Sequence, residues 1–146
     1  MYTLTKTFEE LTVNELYDII QLRIQTWIVE QDIAFQDLDG YDKQADHLMM
    51  FDDDKLVGYI RMIRPGIRFD EASCGRVSLA PDYRGSNNLE RIYGEMLMFG
   101  DKHDYKVWRT IAQAHVYEKV WKHRGWEIEK EVIEDGVESY EVILRR

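Results

Sequence analysis

The stretch Arg76-Val77-Ser78-Leu79-Ala80-Pro81-Asp82-Tyr83-Arg84-Gly85-Ser86-Asn87-Asn88-Leu89 decides the fold. Gly75 to Ala80 reads as a strand, and Pro81, which has no N–H to give to a sheet, stops it. The polar run 82–88 leads into a helix from about Leu89 to Lys102, with Ile92, Met96, Leu97 and Phe99 as its apolar stripe. Tyr105 to Ala112 then reads as a second strand. A strand, a loop, a helix and a strand in that order need a crossover, so this segment predicts a parallel strand pair.

The flanks are read outward from there. Met1 to Phe8 alternates threonine with apolar or aromatic residues, as a short edge strand does. Thr12-Val13-Asn14-Glu15 is a capping box, and Leu16, Ile19, Ile20, Arg23, Trp27 and Ile28 follow at helical spacing, which predicts a helix from 12 to about 29. Residues 30–46 break that pattern with Glu30, Asp32, Asp37, Asp39, Asp42 and Asp46 around one glycine, and read as an acidic loop with at most one irregular helical turn. His47 to Phe51 and Lys55 to Met62 form a hairpin about Asp52-Asp53-Asp54. His115 to Arg124 reads as a helix closed by Gly125, and Trp126 to Ile133 with Ser139 to Leu144 as a hairpin around Asp135-Gly136. The order β-α-β-β-β-α-β-α-β-β, with neither repeat nor linker, predicts one mixed α/β domain over 1–146. Its central mixed sheet would have about six to seven strands flanked by helices.

Composition narrows the function. A chain of 146 residues that is 45% hydrophobic and 32% charged is a globular domain, not a disordered one. With 19 Lys+Arg against 28 Asp+Glu the net charge is −9, which argues against nucleic acid, because that binding depends on cationic contacts to phosphate. A cationic small molecule or a basic peptide suits it better. Cys74, the single cysteine, cannot form an internal disulfide, and four histidines beside it show no zinc spacing. Asp37, Asp39 and Asp42 resemble the start of a calcium loop but lack its later glutamate. No metal is expected, and turn chemistry is the simpler reading of the three aspartates. The amino terminus has no signal-type pattern and no run approaches the ~18 to 20 apolar residues of a membrane span, so no membrane partner is expected and the cytoplasm is the expected location.

The charge is uneven. Residues 1–60 hold 4 basic and 13 acidic residues; residues 61–91 hold 6 and 4, the six being Arg61, Arg64, Arg68, Arg76, Arg84 and Arg91. This suggests an anionic substrate met by the middle segment and a cationic one met by the amino-terminal part.

The element order, the segment from Arg76 to Gly85 leading into a helix, and the late helix ending in Gly125-Trp126 resemble the GNAT superfamily of acyl-CoA N-acyltransferases over essentially the whole chain. Six short blocks point to its ElaA-like branch: Gln21-Leu22-Arg23, Val29-Glu30-Gln31, Asp37-Leu38-Asp39-Gly40, Gly75-Arg76-Val77, Ala112-Gln113-Ala114-His115 and Glu134-Asp135-Gly136-Val137.

The resemblance implies transfer of an acetyl group from acetyl-CoA to a primary amine of a small molecule or peptide. Attack is direct, in a ternary complex, with no acyl-enzyme. It implies that backbone N–H groups of Arg84, Gly85, Ser86, Asn87, Asn88 and Leu89 hold the CoA pyrophosphate, aided by the helix dipole, and that the pantetheine arm lies along Val77 to Leu79. Two departures stand out. The family's loop pattern has small residues where this chain has Asn87 and Leu89; Asn87 is expected to turn the chain in a left-handed conformation. The family's thiolate-protonating tyrosine is replaced by Trp121, which leaves Tyr117, one turn earlier, as substitute. Tyr117, His115 and Glu30 are therefore the catalytic candidates. Against these stand a packed hydroxyl, a helix-terminal histidine and a solvated surface carboxylate, and Trp121 and Trp126 read as core aromatics. The departures also motivate an alternative: a GNAT-fold domain that binds acyl-CoA or a protein partner without turnover. A homodimer is left open, and the acceptor is not identified by the sequence.

Overall fold

The computed structural model describes all 146 residues. β1 (Tyr2–Thr7), β2 (Ala45–Asp52), β3 (Lys55–Ile63) and β4 (Ser73–Leu79) form one antiparallel sheet in that order. In a second, β7 (Val137–Arg145) lies between β5 (Val107–Gln113) and β6 (Glu127–Glu134), antiparallel to both. The sheets meet at β4 and β5, which run parallel as the crossover requires. Their pairing is confined to a bridge between Ala72 and Trp108, where the Arg109 N–H donates to the Ala72 carbonyl at 2.7 Å. Beyond that point the two strands part. The seven strands thus make two antiparallel sheets joined at one seam, with helices packed against them.

Local chemistry explains the helices. α1 (Val13–Ile24) starts on its capping box: the Glu15 N–H donates to Thr12 Oγ1 at 3.1 Å and the Thr12 N–H to Glu15 Oε1 at 2.8 Å, an arrangement typically worth ~1 kcal/mol. It continues over Gln25–Val29 as a π-helix, so the predicted extent is right and the regularity is not. Trp27 in this turn donates its Nε1–H to Ser78 Oγ on β4 at 3.2 Å. α2 (Asn88–Lys102) spans the crossover and buries Ile92, Tyr93, Met96 and Gly100, whereas Leu97 and Phe99 of the predicted stripe are only partly buried. Residues 114–124 form one irregular helical segment: an α turn at Ala114–Val116 (α3), a π turn at Tyr117–Trp121 and a 3₁₀ turn at Lys122–Arg124. Gly125 ends it at φ +85°, as a C′ glycine does, and delivers Trp126 to the core, where its Nε1–H donates to the Tyr93 hydroxyl at 2.9 Å. Asp135 and Gly136, at φ +53° and +76°, make the tight β6–β7 turn. No helix is long and apolar enough to cross a membrane.

Candidate active site

Where β4 leaves β5 a cavity of about 640 Å³ opens. Gly75, Arg76, Val77 and Leu79 line one wall and Thr110 to Gln113 of β5 the other. The β4–α2 loop with Leu89, the segment after α1 through Trp27, Gln31 and Phe35, and the tip of the β6–β7 hairpin complete the lining.

The β4–α2 loop is turned by Gly85 at φ +74°. Asn87, expected in a left-handed conformation, sits instead at φ −77° and ψ 7° as the residue preceding α2, because Gly85 has already reversed the chain. Asn88 Nδ2 donates to the Tyr83 carbonyl at 3.1 Å and to Ser86 Oγ at 2.9 Å, so side chains brace the loop. The backbone N–H groups from Gly85 to Glu90 have no acceptor within the chain and lie at the positive end of the α2 dipole. A Cβ built on Gly85 would meet nothing within 4 Å, so the approach is open. Leu89 packs its side chain against the edge of the core while lining the cavity.

Arg84 donates its Nε–H to the Leu79 carbonyl at 2.8 Å and grips the Glu30 carboxylate with Nη1 and Nη2 at 2.7 and 2.9 Å. Hydrogen bonding from Arg84 holds the Glu30 carboxyl below its ordinary range, against a smaller opposing effect of burial. Glu30 is therefore the counter-ion of Arg84 in this structure.

Midway along β4 the ladder slips. Ser78 pairs with Tyr59 and Gly75 with Arg61, so Arg76 and Val77 together oppose Ile60. Arg76 has φ +52°, the left-handed place in such a bulge that glycine normally takes, at a cost of about 1 kcal/mol or more. Its side chain is held on several sides: Nε donates to Asp37 Oδ1 at 2.9 Å, Nη2 to the Asp37 carbonyl at 3.0 Å and to Asp39 Oδ2 at 3.3 Å, and the guanidinium lies 5.6 Å from the Phe35 ring centre.

Behind it lies a buried ionic cluster. Arg23 and Arg61, 1% and 0% exposed, both donate to Asp42 Oδ1, at 2.6 and 3.2 Å, and Arg61 forks onto Asp39 through two bonds of 2.8 Å. Burial is the largest single effect on the Asp39 carboxyl and works to raise it, but the hydrogen bonds and charge of Arg61, with the Tyr41 N–H and the charge of Arg76, together outweigh it and bring it to about 2. Asp42 is lowered in the same way by Arg23. Asp37, Asp39 and Asp42 are thus chiefly arginine ligands; turn chemistry survives only in the Tyr41 N–H, which donates to Asp39 Oδ1 at 3.1 Å. Beside them the His47 Nε2–H donates to the Asp42 carbonyl at 2.9 Å, which leaves Nδ1 to accept from the Tyr59 hydroxyl at 2.7 Å, and burial lowers the imidazole's basicity.

The expected separation of charge does not survive folding. Arg64 pairs with Asp46, Arg68 with Glu134, and Arg91 donates to the Met1 carbonyl; with Arg61, Arg76 and Arg84 already engaged, all six middle arginines are occupied, four of them by acids from residues 1–60. The two segments neutralise each other instead of presenting opposite faces to two substrates.

Of the catalytic candidates, His115 is exposed at the start of the 114–124 segment and lines the cavity. Tyr117 does not. It is buried, its hydroxyl donates to the Trp126 carbonyl at 2.8 Å, and its ring packs edge-on to Tyr140, so its hydroxyl is engaged away from the cavity in this structure. Trp121 is core and cavity wall at once, 5.0 Å from Trp126 between ring centres. Val77, Leu79, Arg84, Gly85, Ser86 and Leu89 line the cavity; Asn87 and Asn88 do not. Sequence reasoning missed Trp27, Lys119, which forms no ion pair, and the Arg68–Glu134 pair at 3.1 Å. Arg68 and Glu134 lie 66 positions apart, and only the quoted block at Glu134 hinted at the hairpin tip.

No protein-family model matches the chain. It is 32% identical to the protein ElaA of Escherichia coli (strain K12) over 111 residues, 73% of this chain and 72% of that protein. The crystal structure of Escherichia coli ElaA superposes with a TM-score of 0.86 at 25% identity, covering 98% of this chain and 99% of that one. That of an acyl-CoA N-acyltransferase from Pseudomonas aeruginosa gives 0.88 at 25% identity, with 97% of each chain covered. PaiA N-acetyltransferase from Thermoplasma acidophilum, solved in complex with coenzyme A, shares the fold with a TM-score of 0.72 at 16% identity over the whole of both chains.

Proposed function

Since the chain belongs to the ElaA-like branch of the GNAT superfamily of acyl-CoA N-acyltransferases, we propose that it acetylates a primary amine of a small molecule or peptide from acetyl-CoA. The observation that carries this reading is the row of unpaired N–H groups from Gly85 to Glu90 at the mouth of the β4–β5 cavity. Those donors suit a diphosphate, and the parted β4 edge from Val77 to Leu79 suits an extended amide-bearing arm, which takes backbone hydrogen bonds as an added strand does. CoA carries both.

In the reaction the amine nitrogen forms a bond to the thioester carbonyl carbon, the carbon–sulfur bond breaks, the nitrogen gives up a proton and the departing thiolate takes one. His115 is the side chain we assign to that proton traffic, because it is a cavity-lining imidazole and Tyr117 is engaged elsewhere. Calorimetric titration with CoA, then thiol release from acetyl-CoA across polyamines, amino acids and amine-bearing antibiotics, tests the reading. Binding with turnover supports it; no binding at millimolar CoA overturns it. A second reading, acyl-CoA binding without turnover, is favoured by the withdrawal of the Tyr117 hydroxyl onto Trp126; tight CoA binding with no thiol release on any amine would select it.

A further inference from the structure

Arg76 occupies a left-handed position that any side chain makes costly and that glycine would fill without strain, yet its guanidinium is among the most fully bonded near the cavity. A backbone cost and a side-chain network converge on one residue in the cavity wall. The bulge lies in the stretch of β4 that no longer pairs with β5: the strands bridge at Ala72 and Trp108, the Thr110 hydroxyl still donates to the Cys74 carbonyl at 2.5 Å, and Arg76 follows two residues later. The neighbouring bonds extend the device. Ser78 donates its hydroxyl to the Arg76 carbonyl at 3.1 Å and accepts the Trp27 Nε1–H at 3.2 Å, so the carbonyl turned out of the ladder is itself fixed from the α1 side. Asp37, which holds Arg76, is held in turn by Arg23, whose Nε lies 3.1 Å from Asp37 Oδ2 and whose Nη2 donates to the Asp37 carbonyl at 3.0 Å.

We infer that Arg76 is a positioning residue: its clasp on Asp37 locks the bulge that parts β4 from β5 and so presents the β4 edge to the pantetheine arm of CoA. The inference rests on the CoA reading of the cavity and adds to it. The clasp acts on the arm and not on the diphosphate, because the amides at Gly85 to Glu90 are braced separately by Asn88 and Ser86.

The test compares two probes, CoA and ADP, the second carrying the diphosphate and nucleoside without the arm. Each is titrated by calorimetry into the wild-type chain, Arg76→Gly and Asp37→Asn. Arg76→Gly removes the clasp while relieving the left-handed strain, so it is the variant best able to fold; Asp37→Asn keeps the backbone and weakens the same contact. The expected result is that CoA binding weakens by about tenfold in both variants, as when one or two ligand–backbone hydrogen bonds go unmade, while ADP binding is unchanged. CoA affinity equal to wild type in Arg76→Gly overturns the inference, and so does a parallel loss of CoA and ADP, which would make the clasp a fold-holding contact only. A wild-type chain that binds ADP as tightly as CoA overturns it as well. A wild-type chain that binds neither overturns the underlying CoA reading, which separates the two failures.

Discussion

Arg84 holds Glu30 by two charged hydrogen bonds across 54 residues of sequence, tying the phosphate-facing loop to the end of the α1 segment. The two side chains are 38% and 28% exposed, and an ion pair so open contributes about 1 kcal/mol at most. A diphosphate at the neighbouring amides would contend with Glu30 for the same guanidinium. Glu30→Gln is therefore expected to tighten CoA binding severalfold in calorimetry at low ionic strength, with the gain shrinking as salt rises. An unchanged affinity would mean that Arg84 does not serve the phosphates.

Stability should fall in two stages on acidification. His47 is buried with its proton affinity depressed, so the unfolded chain takes up a proton near 6.5 that the folded chain refuses; stability is fully present above that pH and declines below it. Asp39 has the depressed carboxylate pattern, ordinary value 3.8 and folded value about 2, so its contribution is present above 3.8 and is lost as pH falls toward 2. Because Asp39 is partly exposed and its pairs are screened by water, that second stage removes on the order of 1 kcal/mol from Asp39, before Asp42 is counted. Denaturant midpoints from pH 8 to 2 would show both; a flat profile between 7 and 5 would contradict the His47 part.

Gly100 is required by its neighbour. A Cβ there would lie 2.5 Å from Cζ2 of the fully buried Trp108, a rigid ring at the seam between the sheets. Gly100→Ala should destabilise the fold by about 1–3 kcal/mol despite alanine's better helix propensity, measured by urea unfolding. A stabilised variant would show that α2 is free to shift.

Tyr117→Phe should lower the melting temperature, since it strips the hydrogen bond to the buried Trp126 carbonyl, at about 1 kcal/mol. Thiol release per active molecule should stay the same. His115→Gln should do the reverse, with stability kept and turnover reduced about a hundredfold. If Tyr117→Phe abolished turnover while folding normally, the assignment of proton traffic to His115 would be wrong.

Cys74 faces the core with its thiol pushed up to about 12 by burial. Alkylation by iodoacetamide should therefore occur only after unfolding. Modification of the native protein at neutral pH would show that β4 opens locally.

Much of the architecture was legible because it is written in neighbouring residues. The capping box at Thr12 and Glu15, Pro81 at the end of β4, Gly125 after the 114–124 segment and Asp135-Gly136 in the last turn each act within a few positions, and each element sits where those signals place it. The regularity of the helices was less legible. Gln25–Val29 and Tyr117–Trp121 are π-helical, and nothing in their own residues demands it. That irregularity decided the site, since the facing of the 114–124 segment set Tyr117 toward Trp126 and His115 toward the cavity.

The sequence by itself determined the order and type of the elements, the crossover between β4 and β5 and the loop before α2, because hydrophobic period, caps and turn residues are local properties. Only the tertiary structure decided which charges meet. Asp37, Asp39 and Asp42 read as an exposed acidic loop, yet they hold Arg23, Arg61 and Arg76 from positions 14 to 39 residues away. An ion pair depends on distance and on removal from water, and neither is a property of the residues taken in order.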